Sequence, residues 1–119
     1  MSDADRAPAA EPEDLERLFV ARVNAGDVDG LVALFEPDAV VAFTPGQVAT
    51  GSAAIRRVFE DMVAAGVTLT LGDQQPSLRF GDLALGSTRL DDGGVTSEVA
   101  RRQPDGTWRW VIDRWNVLD

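Results

Sequence analysis

The side chains that can carry chemistry in this sequence are carboxylates. Its 119 residues include no His, Cys, Tyr or Lys, so the usual imidazole base, thiolate nucleophile and phenolic proton donor are missing. The same absences exclude a Cys-ligated metal site and remove the commonest metal ligand, and we expect neither a metal nor a cofactor. Acid–base chemistry must therefore fall to Asp and Glu, with Arg as the only cationic side chain.

Asp113 is the first candidate for this chemistry. It lies in an apolar segment where strand alternation places Val111, Asp113 and Trp115 on one face. If that face lines a pocket, the carboxylate loses hydration, its pKa rises, and it is suited to general acid–base work. In the alternative interpretation, Asp113 makes a structural salt bridge with one of three arginines: Arg109, Arg89 or Arg101.

Glu98 is the second candidate, and its position relative to Asp113 depends on strand register. The segment Gln103–Thr107 fits a three-residue turn whose two ends face each other. Glu98 then lies opposite Ile112 and points away from the Asp113 face. A β-bulge between the two carboxylates would reverse the alternation and place both on one face. The same choice between acid–base work and a structural salt bridge applies to Glu98.

Three helices are predicted ahead of most strands. Apolar residues recur at helical spacing over residues 13–25. Asp27 caps a short second helix that Pro37 ends, and Ser52 caps a third that Gly66 stops.

Strands fill the remainder of the chain. One is predicted at 40–43, and others follow at 67–71, 77–80, 83–91, 95–103 and 107–117. Short turns make neighbouring strands antiparallel. The order predicts an α+β fold, with the three N-terminal helices packed on the concave face of a cone-shaped, curved, mostly antiparallel sheet. A cone that is open at one end is a natural pocket.

Length and charge limit the domains and the partners. One domain is the default for this length, and we divide the chain into a disordered acidic tail at 1–11 and a folded domain at 12–119. The net charge of −9 argues against nucleic acid and against a membrane surface, since both bind clustered cations. The N-terminus has no basic-then-apolar signal pattern, so we expect a cytoplasmic protein.

The last strand also predicts self-association. Its two faces are both largely apolar: Trp108, Trp110 and Ile112 alternate with Val111, Asp113 and Trp115. Helices cover only one face of a sheet, so a second copy of the chain would cover the other and form a homodimer. In the alternative, the Trp side chains lie over Arg stems on an exposed face.

Four segments carry a resemblance to a known family: Leu18–Phe35, Pro37–Val41, Thr50–Arg57 and Pro104–Asn116. Together they resemble the nuclear transport factor 2-like superfamily, and most of all its SnoaL-like and ketosteroid-isomerase-like branch. The resemblance spans residues 13–117 and implies the cone-shaped fold. It is weak for function, because this superfamily contains isomerases, cyclases, hydratases, epoxide hydrolases and binding modules.

The resemblance does not extend to the usual isomerase residues. The family's oxyanion-donating tyrosine matches Phe19 and its aspartate base matches Phe43, and phenylalanine neither donates nor accepts a proton. Its protonated aspartate matches Glu98, which keeps an acid. What remains is an apolar pocket, for which we predict six ligand-binding residues: Phe19, Phe43, Val58, Thr88, Val111 and Trp115.

A second branch gives another interpretation of Asp113. Limonene epoxide hydrolases have an aspartate at a similar place in the last strand, where it works with an Arg-x-Asp pair. This sequence has Arg89-Leu-Asp91, but the pair lies near the turn at 92–94, close to the predicted sheet edge. The Tyr and Asn that position water in that branch have no clear match.

Two functions follow from the sequence. The first is an isomerase-, cyclase- or hydrolase-like enzyme that acts on a small, apolar, cyclic molecule, with Asp113 as base and Glu98 as its partner. The second is a non-catalytic ligand-binding or accessory dimeric protein that kept the pocket. Cavity volume separates them, because a cavity below about 300 Å³ would favour the second.

Overall fold

Helices precede most of the strands along the chain, as the apolar spacing predicts. The computed structural model of the protein describes residues 2–44 and 46–119. Its helices are α1 (Asp3–Arg6), α2 (Asp14–Ala25), α3 (Val28–Val32) and α4 (Ser52–Ala64). Its strands are β1 (Phe35–Thr44), β2 (Gln47–Thr50), β3 (Asp73–Gln74), β4 (Leu78–Phe80), β5 (Leu83–Gly86), β6 (Thr88–Arg89), β7 (Ser97–Arg102) and β8 (Trp108–Arg114).

Six strands form one large sheet in the order β2-β1-β8-β7-β5-β4, and β3 pairs separately with β6. Neighbours in the large sheet are antiparallel except β1 and β8, which are parallel. Helices α2 and α4 bury their apolar faces against the inner side of this sheet, where Phe19 and Phe59 pack on Trp110 and Phe35. The predicted α+β fold with a mostly antiparallel sheet is confirmed.

The helix boundaries follow local capping chemistry. Gly26 ends α2 with φ 70°, and the Asp27 carboxylate caps α3 by accepting from the Gly30 N–H at 3.0 Å. The third predicted helix is α4, but the prediction that Ser52 caps it is wrong. Gly51 holds that position with φ 85°, and Ser52 is the first helical residue. The positive φ explains the difference, because glycine adopts it without steric cost.

The strand predicted at 67–71 is absent from the described residues. Asn24 of α2 takes the place of a strand neighbour: its side-chain amide donates to Leu69 O at 2.9 Å and accepts from Leu69 N at 2.7 Å. The alternation itself holds, since Val67 and Leu69 pack against the core while Thr68 is exposed. The apolar alternation therefore identified correctly which residues face the core. The hydrogen bonds that a neighbouring strand would make with Leu69 are made instead by the Asn24 side chain.

The acidic N-terminal segment is packed where composition predicts a disordered tail. Ala9 is buried and forms a β-bridge with Trp108, whose N–H donates to Ala9 O at 2.9 Å. The buried Arg22 guanidinium donates to the main-chain oxygens of Asp5 and Ala7, at 3.0 and 2.8 Å. The buried Arg22 side chain therefore holds this segment through hydrogen bonds to its main-chain carbonyl groups. Amino-acid composition does not reveal such an interaction.

Candidate active site

A β-bulge in β8 decides which carboxylates face the interior. The predicted turn at 103–107 forms, and the two strands then pair Ala100 with Trp110, Val99 with Ile112, and Glu98 with Asp113. Val111 is the extra residue, so the alternation reverses after Trp110. Ile112 therefore points outward, while Glu98 and Asp113 are direct partners on the inner face.

Three carboxyl groups meet on this inner face. Asp113 is 5% exposed and Glu98 is 7% exposed. Glu16, from the first turn of α2, is half-buried and completes the group. A cavity of about 160 Å³ is lined by Glu16 and Asp113, and a hollow of about 20 Å³ is lined by Glu16 and Glu98. We call these three residues the carboxyl trio.

Burial dominates the electrostatics of the trio. It raises the pKa of Asp113 well above its ordinary value, and the charges of Glu98 and Glu16 raise that pKa further. The Trp115 indole N–H donates to Asp113 Oδ2 at 3.1 Å and acts in the opposite direction. Burial also raises the pKa of Glu16 to about 7, with a smaller contribution from Glu98. It raises the pKa of Glu98 too, and a hydrogen bond from Thr96 partly offsets the effect.

No ion pair among the described residues neutralises the trio. Arg101, a predicted salt-bridge partner, binds Glu36 at 3.0 Å instead, and the remaining pairs join other groups. Within the described part of the chain, no three His, Cys, Asp or Glu side chains are grouped to hold a metal ion. Carboxylates that repel one another in a low-dielectric site hold protons in common. The trio can therefore supply a proton donor and a proton acceptor side by side.

The walls of the Asp113 cavity are mostly apolar. Its apolar lining consists of Phe19, Val20, Met62, Leu69, Leu90 and Trp115. Hydroxyl groups enter only from Thr70 and Thr96. Such walls exclude water and leave the carboxyl groups as the principal polar partners of a bound molecule.

The six predicted ligand-binding residues fall into separate places. Phe19 and Trp115 line the Asp113 cavity. Phe43 and Val58 line, again with Trp115, a wide groove of about 840 Å³ beside α4 and β2. The remaining two residues line neither space. Thr88 is buried with an unpartnered Oγ1, and Val111 is displaced because it is the bulge residue.

A partition separates the cavity from the groove. Met62 and Trp115 line both spaces. Trp115 is held there by aromatic contacts, with ring centroids 5.9 Å from both Phe19 and Phe43 and 6.2 Å from Phe59. The size of molecule that reaches Asp113 from the groove therefore depends on these two side chains.

The Arg-x-Asp pair does not join the site. Arg89 is exposed in β6, where its main chain is the register partner of Asp73 in β3. Asp91, beyond the end of β6, is also exposed. Only Leu90 between them lines the cavity. The arrangement that an epoxide-hydrolase interpretation needs is therefore not formed around Asp113.

Glu16 is the site residue that the sequence analysis did not select. In the first turn of a helix, an acidic side chain has a sufficient explanation in the helix dipole. One signal was present, because Glu16 precedes Phe19 by three residues and so shares its helix face. A carboxylate on the same face as a predicted pocket wall belongs to the candidate set.

Comparison with known proteins agrees with this architecture. A family model described as the SnoaL-like domain matches residues 16–117. No match to the sequence is found among curated proteins.

Solved structures share the fold at low sequence identity. A candidate calcium/calmodulin-dependent protein kinase type II association domain from Thiobacillus denitrificans is 21% identical, with a TM-score of 0.74 over 91% of this chain and 95% of that one. A candidate NTF2-like dehydratase from Streptomyces avermitilis is 20% identical, with a TM-score of 0.70 over 84% and 88%. A ketosteroid isomerase-like protein from Erwinia carotovora atroseptica is 15% identical, with a TM-score of 0.68 over 86% and 89%. At these identities the likeness concerns the fold alone.

Proposed function

This chain belongs to the SnoaL-like domain family, and on that premise we propose that it is an acid–base enzyme for small, neutral, cyclic molecules. The observation that carries the proposal is the placement of Asp113. Its carboxyl group is buried, faces Glu98 across the sheet, and lines an apolar cavity together with Glu16. A buried carboxylate without a cationic partner is a strong proton acceptor, because ionisation is costly there.

The proposed reaction is proton transfer at a carbon atom beside a carbonyl group. Ionised Asp113 takes the proton from carbon, and the protonated carboxyl of Glu16 donates a hydrogen bond to the carbonyl oxygen, where negative charge develops. Asp113 then returns the proton to the same or another carbon, which gives exchange or isomerisation. Glu98 lies behind Asp113 and raises its proton affinity, so it is a positioning residue in this scheme.

The cavity suggests the size of the substrate. Its volume of about 160 Å³ is close to that of an engineered apolar cavity of about 150 Å³ that binds benzene. A single six-membered ring fits such a volume. Three carboxyl groups that form no ion pair with any described arginine disfavour an anionic ligand, so we propose a neutral monocyclic ketone or enone as the substrate class.

Deuterium exchange at carbon tests the proposal without knowledge of the natural substrate. Cyclohexanone in D₂O is followed by NMR, and we expect the protein to accelerate deuterium incorporation next to the carbonyl group. Asp113→Asn should reduce this acceleration by about 10²-fold or more while cyclohexanone still binds. Asp91→Asn, at an exposed carboxylate, is the matched control. Equal exchange rates in Asp113→Asn and in the unaltered protein would reject Asp113 as the base.

A second function, non-catalytic ligand binding, is favoured by one specific observation. The Asp113 cavity is smaller than the roughly 300 Å³ typical of ligand sites, and aromatic side chains close it on the groove side. In that case the protein would bind a ring compound without accelerating deuterium exchange. Binding of phenol with no exchange of cyclohexanone would support this function over the enzyme.

A homodimer is part of the proposal and is supported by the outer sheet face. A row of apolar side chains crosses that face from strand to strand: Leu78, Leu85, Val99, Ile112 and Val40. Ile112 is 51% exposed and Leu78 is 70% exposed, whereas Trp108 and Trp110, which precede the bulge, are buried on the inner face. A second copy would cover this row.

The proposed location is the cytoplasm. Among the described residues, no helix has the length and apolarity that a membrane crossing requires.

A further inference from the structure

A second, much smaller space lies behind the Asp113 cavity. The hollow is lined by residues from α2, β5 and β7, among them Glu16, Gly86 and Glu98. Its volume is about 20 Å³, and a cavity of about 10–15 Å³ is enough for one water molecule. The hollow is therefore large enough for a single water and too small for any organic ligand.

Glu98, which lines this hollow, has one carboxyl oxygen without a partner. Glu98 Oε2 is inaccessible to solvent and makes no hydrogen bond in the described structure. Buried acceptors are nearly always satisfied by protein or by ordered water. Other polar side chains line the same space: Glu16, Gln74, Gln75, Ser77 and Ser87. A water held there has the two to four polar neighbours that a buried water requires.

We infer that this hollow binds one water molecule, and that the water connects Glu16 to Glu98 as a proton link between the outside of the protein and the Asp113 cavity. The water site stands on the volume of the hollow and on its polar lining, which includes Glu98. Its role as a link to a working base rests, in addition, on the proposed function.

The placement of Glu16 makes the link continuous. Glu16 lines the hollow and also lines the Asp113 cavity. On the outer side, the hollow reaches Ser77, whose hydroxyl donates to the exposed Glu13 carboxylate at 2.6 Å. On the inner side, Glu98 faces Asp113 directly across β7 and β8.

Each transfer moves one proton between neighbouring carboxyl groups or through the water, and the last transfer requires the carboxyl groups of the register partners Glu98 and Asp113 to come within hydrogen-bond distance. The Glu16 carboxyl gives its proton to the water, and the water gives a different proton to Glu98. Glu98 then passes a proton to Asp113, and Glu16 regains one from solvent at the rim. The water is regenerated in each cycle, and the net change is the movement of one proton from solvent to Asp113.

The charges around the link favour bound protons. Glu13, just before α2, lines the hollow together with Glu16 from α2 and Glu98 from β7, and Asp113 on β8 is the register partner of Glu98. Arg79 binds Glu13 at the rim. Arg79 already binds Glu11 and Glu13, at 3.0 and 2.9 Å. Within the described residues its charge is therefore committed to the exposed carboxylates, and Glu98 gains protons when its neighbours are ionised.

Gly86→Ala tests the water site while keeping all three carboxyl groups. A Cβ atom at this position lies 3.1 Å from Glu98 Oε1 and takes up part of the hollow. Gly86 has no positive φ, so alanine fits its backbone. In the unaltered, ligand-free protein we expect NMR cross-relaxation between a long-lived water and the amide protons of Ser87 and Ala100. Gly86→Ala should lose these signals.

The link is measured by proton exchange of the buried carboxyl groups. After transfer into D₂O, infrared spectroscopy follows the carboxylic C=O band as it shifts on deuteration. Gly86→Ala should slow this shift by about tenfold, which corresponds to a barrier higher by about 1.4 kcal/mol. Leu83→Ala, on the same strand but at an exposed position outside the apolar row of the proposed dimer, is the matched control and should leave both readouts unchanged.

Glu98→Gln is a second test of the water site and of the proton link, and it does not require Gly86→Ala to fold. Glutamine keeps the shape and can still bind the water, so the water signals should persist while deuteration slows. Missing water signals in the unaltered protein would overturn the water site. Unchanged deuteration in folded Glu98→Gln would overturn the link. Both readouts are taken without ligand, so a failure of the proposed enzyme activity would be seen separately, in the cyclohexanone measurement.

Discussion

Glu98 and Asp113 face each other across β7 and β8 because Val111 is one residue too many for a regular ladder. Regular alternation beyond Trp110 would turn Ile112 inward and leave the two carboxylates on opposite faces. The bulge exchanges these places, so that an apolar residue is exposed and two acids are buried. A local irregularity in the backbone thus creates the electrostatics of the candidate site.

The first prediction concerns the pH dependence of stability. Glu16 has its pKa raised from 4.5 to about 7, so the folded state holds a proton that the unfolded state releases above pH 4.5. Below that pH Glu16 has no effect. Between 4.5 and 7 the free energy of unfolding falls, and above 7 the full cost of about 3 kcal/mol is present. Urea denaturation of Glu16→Gln should lack this decrease. Parallel pH curves for the two proteins would contradict the prediction.

The second prediction concerns the buried charge of Asp113. Asp113→Asn keeps the shape and an oxygen for the Trp115 indole, and it removes the cost of burying charge near Glu98 and Glu16. At about pH 8 the variant should be more stable by about 1–3 kcal/mol. Thermal and urea unfolding measure this gain. Asp82→Asn, at an exposed carboxylate, serves for comparison, and a less stable Asp113→Asn would show that its charge is compensated.

The third prediction concerns the partition between cavity and groove. Met62→Ala removes one of the two side chains that line both spaces, so the cavity should open and admit a two-ring compound such as 1-naphthol. The partly buried position should cost about 1–3 kcal/mol of stability. Calorimetric titration compares naphthol with phenol. Val48→Ala changes the lining of the groove and not that of the cavity, and naphthol binding to that variant as well would argue against the partition.

The fourth prediction concerns the apolar row on the outer sheet face. Ile112→Lys places a charge at its centre and should convert a dimer to a monomer in sedimentation velocity at micromolar concentration. Leu71→Lys changes an exposed apolar residue outside the large sheet and should leave the mass unchanged. A protein that sediments as a monomer before substitution would end the dimer proposal.

The spacing of apolar residues predicted the layers of the fold, because the side of each element that is buried determines that spacing. The spacing of Leu15, Leu18 and Phe19 is visible in the sequence, and so is the alternation of Val67 and Leu69. The turn at 103–107 was predicted for a similar reason, since its residue types select its geometry. These features are properties of short segments, which is why one sequence was enough.

The candidate site was harder to predict, because it depends on three elements at once. Asp113 was selected from its apolar neighbours, but the side on which Glu98 lies depended on a bulge that no residue type announces. Glu16 was explained by helix electrostatics alone. Its membership of the carboxyl trio arises only when α2 packs against β7 and β8. Local sequence patterns do not show which distant segments come together.

The amide of Asn24 has a consequence for how this protein can change. It binds the main chain at Leu69, which lines one wall of the Asp113 cavity, and in the part of the chain that the structure describes Leu69 belongs to no strand ladder. A single substitution of Asn24 would loosen this wall of the Asp113 cavity and leave the large sheet intact. Because one side chain positions this wall, a change at Asn24 gives a simple route by which the cavity could accept a different ligand while the fold is kept.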